Sequence, residues 1–190
     1  MADSLLGTPH NLYSQAALMQ VRKRRNLVSG ILKVALVLLG LTAFGLSVDD
    51  LLSFPTVRNI ESVAVGVTLI AAGVSLETWG TCALWQQGLG TPNPAEPPSR
   101  LVTTGPYRFS RNPLYLARFC MLLGGSLFLG SMGTVLVSIA LFIGLNFLLL
   151  PREEGRLQGR FGNNYLDYKA EVSRWITLTP SRRVRRKLDQ

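Results

Sequence analysis

The chain has 190 residues, of which 47% are apolar and 16% charged, and its formal net charge is +9. Soluble domains usually carry about 25% charged residues. This composition excludes a disordered polyelectrolyte and argues against an ordinary water-soluble enzyme. The single histidine, His10, lies in a polar stretch, while Cys82 and Cys120 stand apart in apolar sequence. Because these residues form no metal-ligand or triad pattern, we expect no metal site.

Four apolar stretches approach the length of about 20 residues that a helix needs to cross a bilayer core. They predict spans at residues 27–48, 57–85, 113–129 and 134–150. Lys33 lies near the start of the first span, from which its ammonium can reach the interface, and Asp49 and Asp50 end that span. A short glycine-containing link joins the last two spans and predicts an antiparallel hairpin. The expected fold class is all-α, a polytopic membrane protein with about four transmembrane helices.

Lysine and arginine placement predicts the orientation of these spans. Basic residues precede the first span, lie between the second and third, and follow the fourth, whereas the other two connections have almost none. The positive-inside rule therefore puts both termini in the cytoplasm, at the inner membrane if the source is bacterial. The membrane, rather than nucleic acid, then accounts for the positive charge. This orientation also places residues 86–112 and 151–190 on one face, where we expect the chemistry.

The same pattern divides the chain into three parts. We expect a cytosolic N-terminal segment at residues 1–26, a membrane-embedded domain at 27–176 and a basic tail at 177–190 that suits anionic lipid head groups. No charged stretch followed by an apolar core precedes residue 19, so we expect no cleaved signal peptide. After the fourth span the helix is expected to continue through Phe161, break at Gly162 and resume to about Trp175, with Tyr165 and Tyr168 on one face.

The first candidate constellation lies just before the third span. Pro113 fits the first turn of that helix, and Asn112 fits the capping position before it. A helix start offers N–H groups and a positive dipole end, to which Arg108 and Arg111 can add a clamp for a carboxylate or phosphate. The alternative is that both arginines only mark the cytoplasmic boundary and that Asn112 only caps.

The second constellation follows the fourth span. Neighbouring side chains on a helix point about 100° apart. One of Glu153 and Glu154 can therefore face a cavity while the other faces water or pairs with Arg156. The alternative is a solvated face of alternating charge. Within the spans, Glu77 is expected at the interface, and Arg118 is expected to extend toward it.

Taken together, these pieces resemble a known family. Residues 101–107 (LVTTGPY), 111–115 (RNPLY), Glu153-Glu154, 161–168 (FGNNYLDY) and Val172 resemble the integral-membrane isoprenylcysteine carboxyl methyltransferases. Phospholipid N-methyltransferases are similar in the same places, and residues 90–92 and 97–98 are similar to the bacterial branch. The resemblance covers about residues 88–176. One departure is that the family's usual Arg-His-Pro is Arg111-Asn112-Pro113 here, and asparagine does not titrate near neutrality.

The resemblance implies S-adenosylmethionine as the methyl donor, held in a cytosolic pocket formed by the loop before the third span and the C-terminal helical segment. The positions that it implies for cofactor binding are Arg100, Leu101, Val102, Gly105, Tyr107, Asn112, Pro113, Tyr115, Glu153 and Glu154. It makes Arg111, Glu153 and Glu154 the candidate catalytic residues.

The implied activity is methyl transfer to a lipophilic acceptor, either an isoprenylcysteine-type carboxylate or a lipid amine. The expected partners are a lipophilic small molecule or prenylated substrate and membrane lipids, with no nucleic acid. A carboxylate acceptor needs no base, whereas an amine needs one, for which Glu153 or Glu154 is the candidate. Two alternatives remain: an NADPH-dependent membrane reductase of the sterol-reductase type, which has a similar C-terminal pattern, and a non-catalytic adaptor that binds anionic lipid through the tail.

Overall fold

A computed structural model describes residues 9–87 and 100–178, with the backbone alone described for residues 9–24. Over these residues the chain is helical and has no β-strand. The helices are α1 Pro9–Leu52, α2 Ile60–Gln86, α3 Pro113–Leu129, α4 Met132–Gly144, α5 Leu150–Phe161 and α6 Asn163–Glu171. A 3₁₀ turn, Gly105–Arg108, precedes α3, and a π-helical turn, Leu145–Leu149, joins α4 to α5. The all-α prediction is confirmed.

The outer surface of the helices is apolar. Side chains such as Leu39, Phe44 and Phe147 are 67%, 61% and 70% exposed. Such surface is unfavourable in water and is typical of contact with lipid. Three described helical stretches, at residues 25–52, 60–86 and 132–161, are long and apolar enough to cross a membrane, and α3 is a shorter apolar helix. The chain is therefore a polytopic helical membrane protein, as predicted.

Two span boundaries differ from the prediction. The helix α1 begins at Pro9 and runs through the basic cluster before residue 27, because lysine and arginine are good helix formers. Asp49 does not end α1. Its carboxylate instead accepts hydrogen bonds from the Gly133 N–H and the Ser131 hydroxyl, at the start of α4. The carboxylate satisfies donors that the start of α4 leaves free. The three-part division of the chain stays a prediction, and the basic tail from residue 179 lies outside the described residues, as does the loop at 88–99.

Glycines set the distance between α2 and α3. Gly66, Gly73 and Gly80 are buried on one face of α2 at a seven-residue spacing. A Cβ at Gly66 would lie 2.7 Å from the Gly124 carbonyl oxygen, and one at Gly73 would lie 2.7 Å from the Ala117 carbonyl oxygen. The backbones therefore approach closely, as small residues allow in membrane helices. This contact fixes the start of α3 against the end of α2.

The C-terminal helices follow the predicted pattern with one shift. The helix α5 continues through Phe161, and Gly162 breaks it with a φ of +55°. The helix α6 ends at Glu171 rather than near Trp175, because Val172 has extended backbone. Tyr165, Tyr168 and Val172 form one buried cluster, as their shared face predicts, and the side chains packed around it are Leu101, Leu157 and Phe161.

Candidate functional site

The segment before α3 is held between two hydrophobic clusters. Val102 packs with Leu84 of α2 and Leu114 of α3, whereas its neighbour Leu101 packs on the α6 cluster. Alternation along an extended stretch sends adjacent side chains to opposite sides. Gly105 follows with a φ of +60°, and a Cβ there would lie 3.2 Å from the Cβ of Ala83. The loop therefore joins the bundle to the C-terminal helices.

Residues 172–177, which we call the C-terminal strap, run beside the segment that leads into α3. The Arg111 N–H donates to the Ser173 carbonyl at 3.1 Å, and the Thr177 N–H donates to the Phe109 carbonyl at 2.6 Å. The Asn112 side-chain amide donates to the Arg174 carbonyl at 3.2 Å. Asn112 occupies the N-cap position of α3, as predicted, but its side chain makes no capping hydrogen bond there. Its side-chain N–H satisfies a carbonyl of the strap.

Glu154 lies at the centre of a cluster of cations. It is 5% exposed, and Arg174 donates to both of its carboxylate oxygens, at 2.9 and 3.2 Å. Lys169 Nζ lies 3.1 Å from Oε2, and Arg111 Nη1 lies 3.0 Å from Oε1. A buried carboxylate is tolerated when it is paired and hydrogen-bonded in this way. The predicted alternative of a solvated face does not hold for Glu154.

Arg111 has unused donors within this cluster. Its side chain is 9% exposed, yet its Nε and Nη1 have no hydrogen-bond acceptor among the described residues. The 3.0 Å approach of Nη1 to Glu154 is thus an ion-pair contact without hydrogen-bond geometry. A buried donor normally has a partner, and an anionic ligand can supply one. Arg111 is therefore the residue whose surroundings most clearly fit a bound carboxylate.

Arg174 connects three elements. Besides Glu154 in α5, its Nη1 donates to the backbone carbonyl of Asn146 at 3.1 Å and to the side-chain carbonyl at 3.2 Å. Trp175 Nε1 also donates to the Asn146 side chain, at 3.1 Å. Asn146 lies in the π-helical turn, a feature found frequently at functional sites. These bonds hold the strap against the last membrane helix.

Tyr168 links α6 to the loop. Its hydroxyl donates to the Tyr107 carbonyl at 2.7 Å. Burial raises the pKa of Tyr168 well above its ordinary value, and burial followed by the charge of Glu77 does the same to the pKa of Tyr107. These shifts keep both hydroxyls protonated further into the alkaline range, so Tyr168 remains a donor there.

A second polar group lies beside this cluster. The Tyr115 hydroxyl donates to Glu153 Oε1 at 2.9 Å. Arg118, one turn further into α3, donates to Glu77 Oε1 through Nη2 at 2.9 Å and through Nε at 3.3 Å. Arg118 therefore has a partly buried partner in α2, and its extension toward the interface stays a prediction. The partner accounts for an arginine inside an apolar helix.

The structure brings most of the predicted positions together. The strap and α6 join the loop before α3, the start of α3 and α5. These elements carry the predicted positions Leu101, Val102, Tyr107, Arg111, Asn112, Pro113 and Glu154. Gly105 supports the loop, Tyr115 and Glu153 form the adjacent pair, and Arg100 is exposed.

The sequence analysis missed Lys169, Arg174 and Asn146, which contact Glu154 or its partners. A signal for them existed. Glu154 lies three residues before the apolar Leu157 and on the same helix face, which indicates that its carboxylate is buried. A buried carboxylate needs a cation as its partner.

Fold and site together define a polytopic helical membrane protein with a cluster of paired charges around the buried Glu154. A family profile described as phospholipid methyltransferase matches residues 62–164, more than half of the chain. An uncharacterized protein of Haemophilus influenzae is 35% identical over 63 residues, which are 33% of this chain and all of that protein. No solved structure matches. The chain belongs to the phospholipid methyltransferase family and is a membrane methyltransferase.

Proposed function

We propose that the protein transfers a methyl group from S-adenosylmethionine to a lipophilic acceptor. The observation that carries this proposal is the Arg111 side chain, which is buried and whose Nε and Nη1 donate no hydrogen bond of good geometry among the described residues. The methyl donor carries a carboxylate, for which a guanidinium is the matching partner. It also carries a sulfonium, which supplies the activated methyl group when the donor is bound.

Arg111 binds the donor's carboxylate, and the surrounding residues hold Arg111 in place. Glu154 is a positioning residue in this scheme, since it contacts Arg111, Lys169 and Arg174 at once. It holds Arg111 in place without accepting a hydrogen bond of good geometry from Nε or Nη1. A guanidinium fixed before the ligand arrives loses little freedom on binding, which favours affinity.

Glu153 provides the negative group for the donor's amine or ribose. Its Oε1 accepts from Tyr115, which orients the carboxylate. No hydrogen bond to its second oxygen is formed among the described residues. In this proposal residues 101, 102 and 107 line the donor on the side of the loop. Asn112 and Pro113 lie beside the donor at the start of α3. Methyl transfer is an in-line displacement, so positioning and exclusion of water provide much of the acceleration.

We further propose that both termini lie in the cytoplasm, at the inner membrane if the source is bacterial. The support is the placement of basic residues on the side of the Glu154 cluster and their scarcity at the opposite end of the bundle. A water-soluble donor then enters from the cytosol, and a lipophilic acceptor enters from the bilayer. Labelling by a membrane-impermeant thiol reagent tests this: Arg156→Cys should react from the cytoplasmic side and Ser53→Cys from the opposite side.

Ligand-induced stabilisation of the purified protein tests the donor. A ligand that binds the folded state raises its stability as the ligand concentration exceeds Kd. We expect S-adenosylmethionine and its demethylated product S-adenosylhomocysteine to raise Tm, and NADPH to leave it unchanged. Radiolabelled donor with a total lipid extract should then give a labelled lipid. Stabilisation by NADPH alone would instead support a reductase.

A further inference from the structure

An ion pair between two membrane helices lies next to the proposed donor site. Arg118 of α3 donates to Glu77 Oε1 of α2 through Nη2 at 2.9 Å and through Nε at 3.3 Å. The two side chains are 17% and 19% exposed, although both belong to apolar helices. Ionisable residues inside membrane helices are costly and commonly serve function. The pair is therefore a candidate for a role in the reaction.

The contact between α2 and α3 is made by glycines on both sides of this pair. Gly73 and Gly80 lie about one turn before and one turn after Glu77 in α2. A Cβ at either glycine would lie 2.7 Å from an atom of α3, at the Ala117 carbonyl oxygen and at the Leu114 side chain. Small residues are sufficient for such close packing in membranes. Joining the two helices does not account for the ion pair, whereas holding the Arg118 guanidinium does.

Arg118 lies against the ring of Tyr115, about one turn earlier on the same helix. Its Cζ is 5.7 Å from the ring centroid, within the distance of about 6 Å at which a cation is attracted to an aromatic face. Both residues line an apolar cavity of about 250 Å³ between α1, α3 and α4. The attraction between a cation and a ring is stronger in apolar surroundings. Because Glu77 fixes the guanidinium, the Tyr115 ring has a fixed neighbour.

Tyr115 carries this constraint to the donor site. Its hydroxyl donates to Glu153 Oε1 at 2.9 Å, and Glu153 is the carboxylate proposed for the donor's amine or ribose. Contacts thus run from Glu77 in α2, through two residues of α3, to Glu153 in α5. We propose that Arg118 is a positioning residue for methyl transfer: it fixes the Tyr115 ring, so that the Tyr115 hydroxyl holds Glu153 in the orientation that binds the donor.

This role does not require Arg118 to touch the donor. A carboxylate that is already oriented loses less freedom when the ligand binds, which favours affinity. Releasing the Tyr115 ring would return that freedom to Glu153 and weaken donor binding. The inference rests on the proposed function, because it concerns the residue that binds one part of S-adenosylmethionine.

A double-mutant cycle on the affinity for S-adenosylmethionine tests the inference, with the purified protein in detergent and titration calorimetry as the measurement. Tyr115→Phe removes the hydroxyl and keeps the ring. Glu77→Met combined with Arg118→Met, which we call the paired substitution, removes both charges and leaves neither one buried alone. We expect Tyr115→Phe and the paired substitution each to weaken binding about three- to tenfold. Adding the paired substitution to Tyr115→Phe should weaken binding no further, because Arg118 acts through the hydroxyl.

Two further variants separate positioning from stability. Arg118→Lys keeps a cation beside the ring and a partner for Glu77, and it should bind the donor within about threefold of the wild type. Arg58→Gln is the matched control, since it removes a guanidinium whose Cζ lies 5.3 Å from the Phe128 ring centroid at the far end of α3. It should leave donor affinity unchanged. Thermal unfolding without ligand shows that each variant is folded.

Three results would overturn the inference. They are an unchanged affinity after the paired substitution, an equal weakening in the wild-type and Tyr115→Phe backgrounds, and an Arg118→Lys variant that binds as weakly as the paired substitution. In each case a wild type that binds S-adenosylmethionine leaves the donor proposal standing, and the positioning role alone fails. A wild type that does not bind S-adenosylmethionine contradicts the proposed function itself.

Discussion

Arg174 donates hydrogen bonds to both carboxylate oxygens of Glu154, from Nε at 2.9 Å and from Nη2 at 3.2 Å, although 20 positions separate the two residues in sequence. This ion pair joins the strap to α5. Lys169 and Arg111 also lie against the Glu154 carboxylate. The strap also contacts the residues that lead into α3, so this ion pair connects α5 to the loop side of the proposed donor site.

Glu154→Gln should destabilise the protein and weaken donor binding together. Removing one partner of a buried ion pair costs about 3–5 kcal/mol. Here the side chain of Lys169 is 41% exposed and that of Arg174 is 28% exposed. Solvent screens these cations, and we therefore expect a loss of about 2 kcal/mol. Thermal unfolding in detergent measures this loss. Glu61→Gln, at the exposed start of α2, is the control and should change stability by less than about 1 kcal/mol.

Asn146→Leu should loosen the strap without preventing the helices from forming. The substitution removes the acceptor shared by Arg174 and Trp175 and leaves both donors less satisfied, at an expected cost of about 1–3 kcal/mol. Hydrogen exchange at residues 172–177 should become faster. Phe147→Leu, which alters the adjacent lipid-exposed side chain, should leave exchange in the strap unchanged. Equal exchange rates in the two variants would argue against a role for Asn146.

Gly73→Ala should destabilise the contact between α2 and α3. The added Cβ would lie 2.7 Å from the Ala117 carbonyl oxygen and 2.7 Å from Met121 Cγ, so the helices must separate. Overpacking of this kind costs about 1–3 kcal/mol. At Gly40 a Cβ has nothing within 4 Å, and Gly40→Ala should not destabilise the protein. Reversible unfolding in mixed micelles compares the two, and a similar loss for both would contradict the packing described for α2.

Asn112→Asp should weaken the junction between α3 and the strap, whereas Asn112→His should preserve it. The Asn112 amide donates to the Arg174 carbonyl, a role that a neutral imidazole N–H can fill and a carboxylate cannot. We expect Asn112→His to retain its affinity for S-adenosylmethionine near neutral pH. Asn112→Asp should bind S-adenosylmethionine about tenfold more weakly, because the hydrogen bond is lost. Titration with S-adenosylmethionine measures both. Equal affinity in the two variants would show that the amide bond does not matter for the donor.

Local signals in the sequence were enough to place the helices near the site. Pro113 marks the first turn of α3 because its missing N–H costs nothing there, and Gly162 marks the break between α5 and α6. Spacing along α6 also placed Tyr165 and Tyr168 on one buried face. Each of these features depends on residues within a few positions of one another.

The partners of the charged side chains could not be predicted in the same way. Arg174 pairs with Glu154, and Arg118 pairs with Glu77 across 41 residues, so neither pairing follows from helical spacing. Asn112 lies at the N-cap of α3, but its side-chain oxygen makes no capping bond, and its side-chain N–H donates to a carbonyl of the distant strap. Such choices depend on which elements meet in space, which local periodicity does not encode.

The affinity of Arg111 variants for S-adenosylmethionine tests the central claim most directly. The comparison uses the purified wild type, Arg111→Gln and the matched control Arg108→Gln, which removes the other arginine of the same loop. We predict that Arg111→Gln weakens binding by about 10- to 100-fold, in line with the loss of a charge-assisted pair, and that Arg108→Gln changes it little. Unchanged affinity in Arg111→Gln, or a wild-type protein that does not bind the donor, would contradict the account.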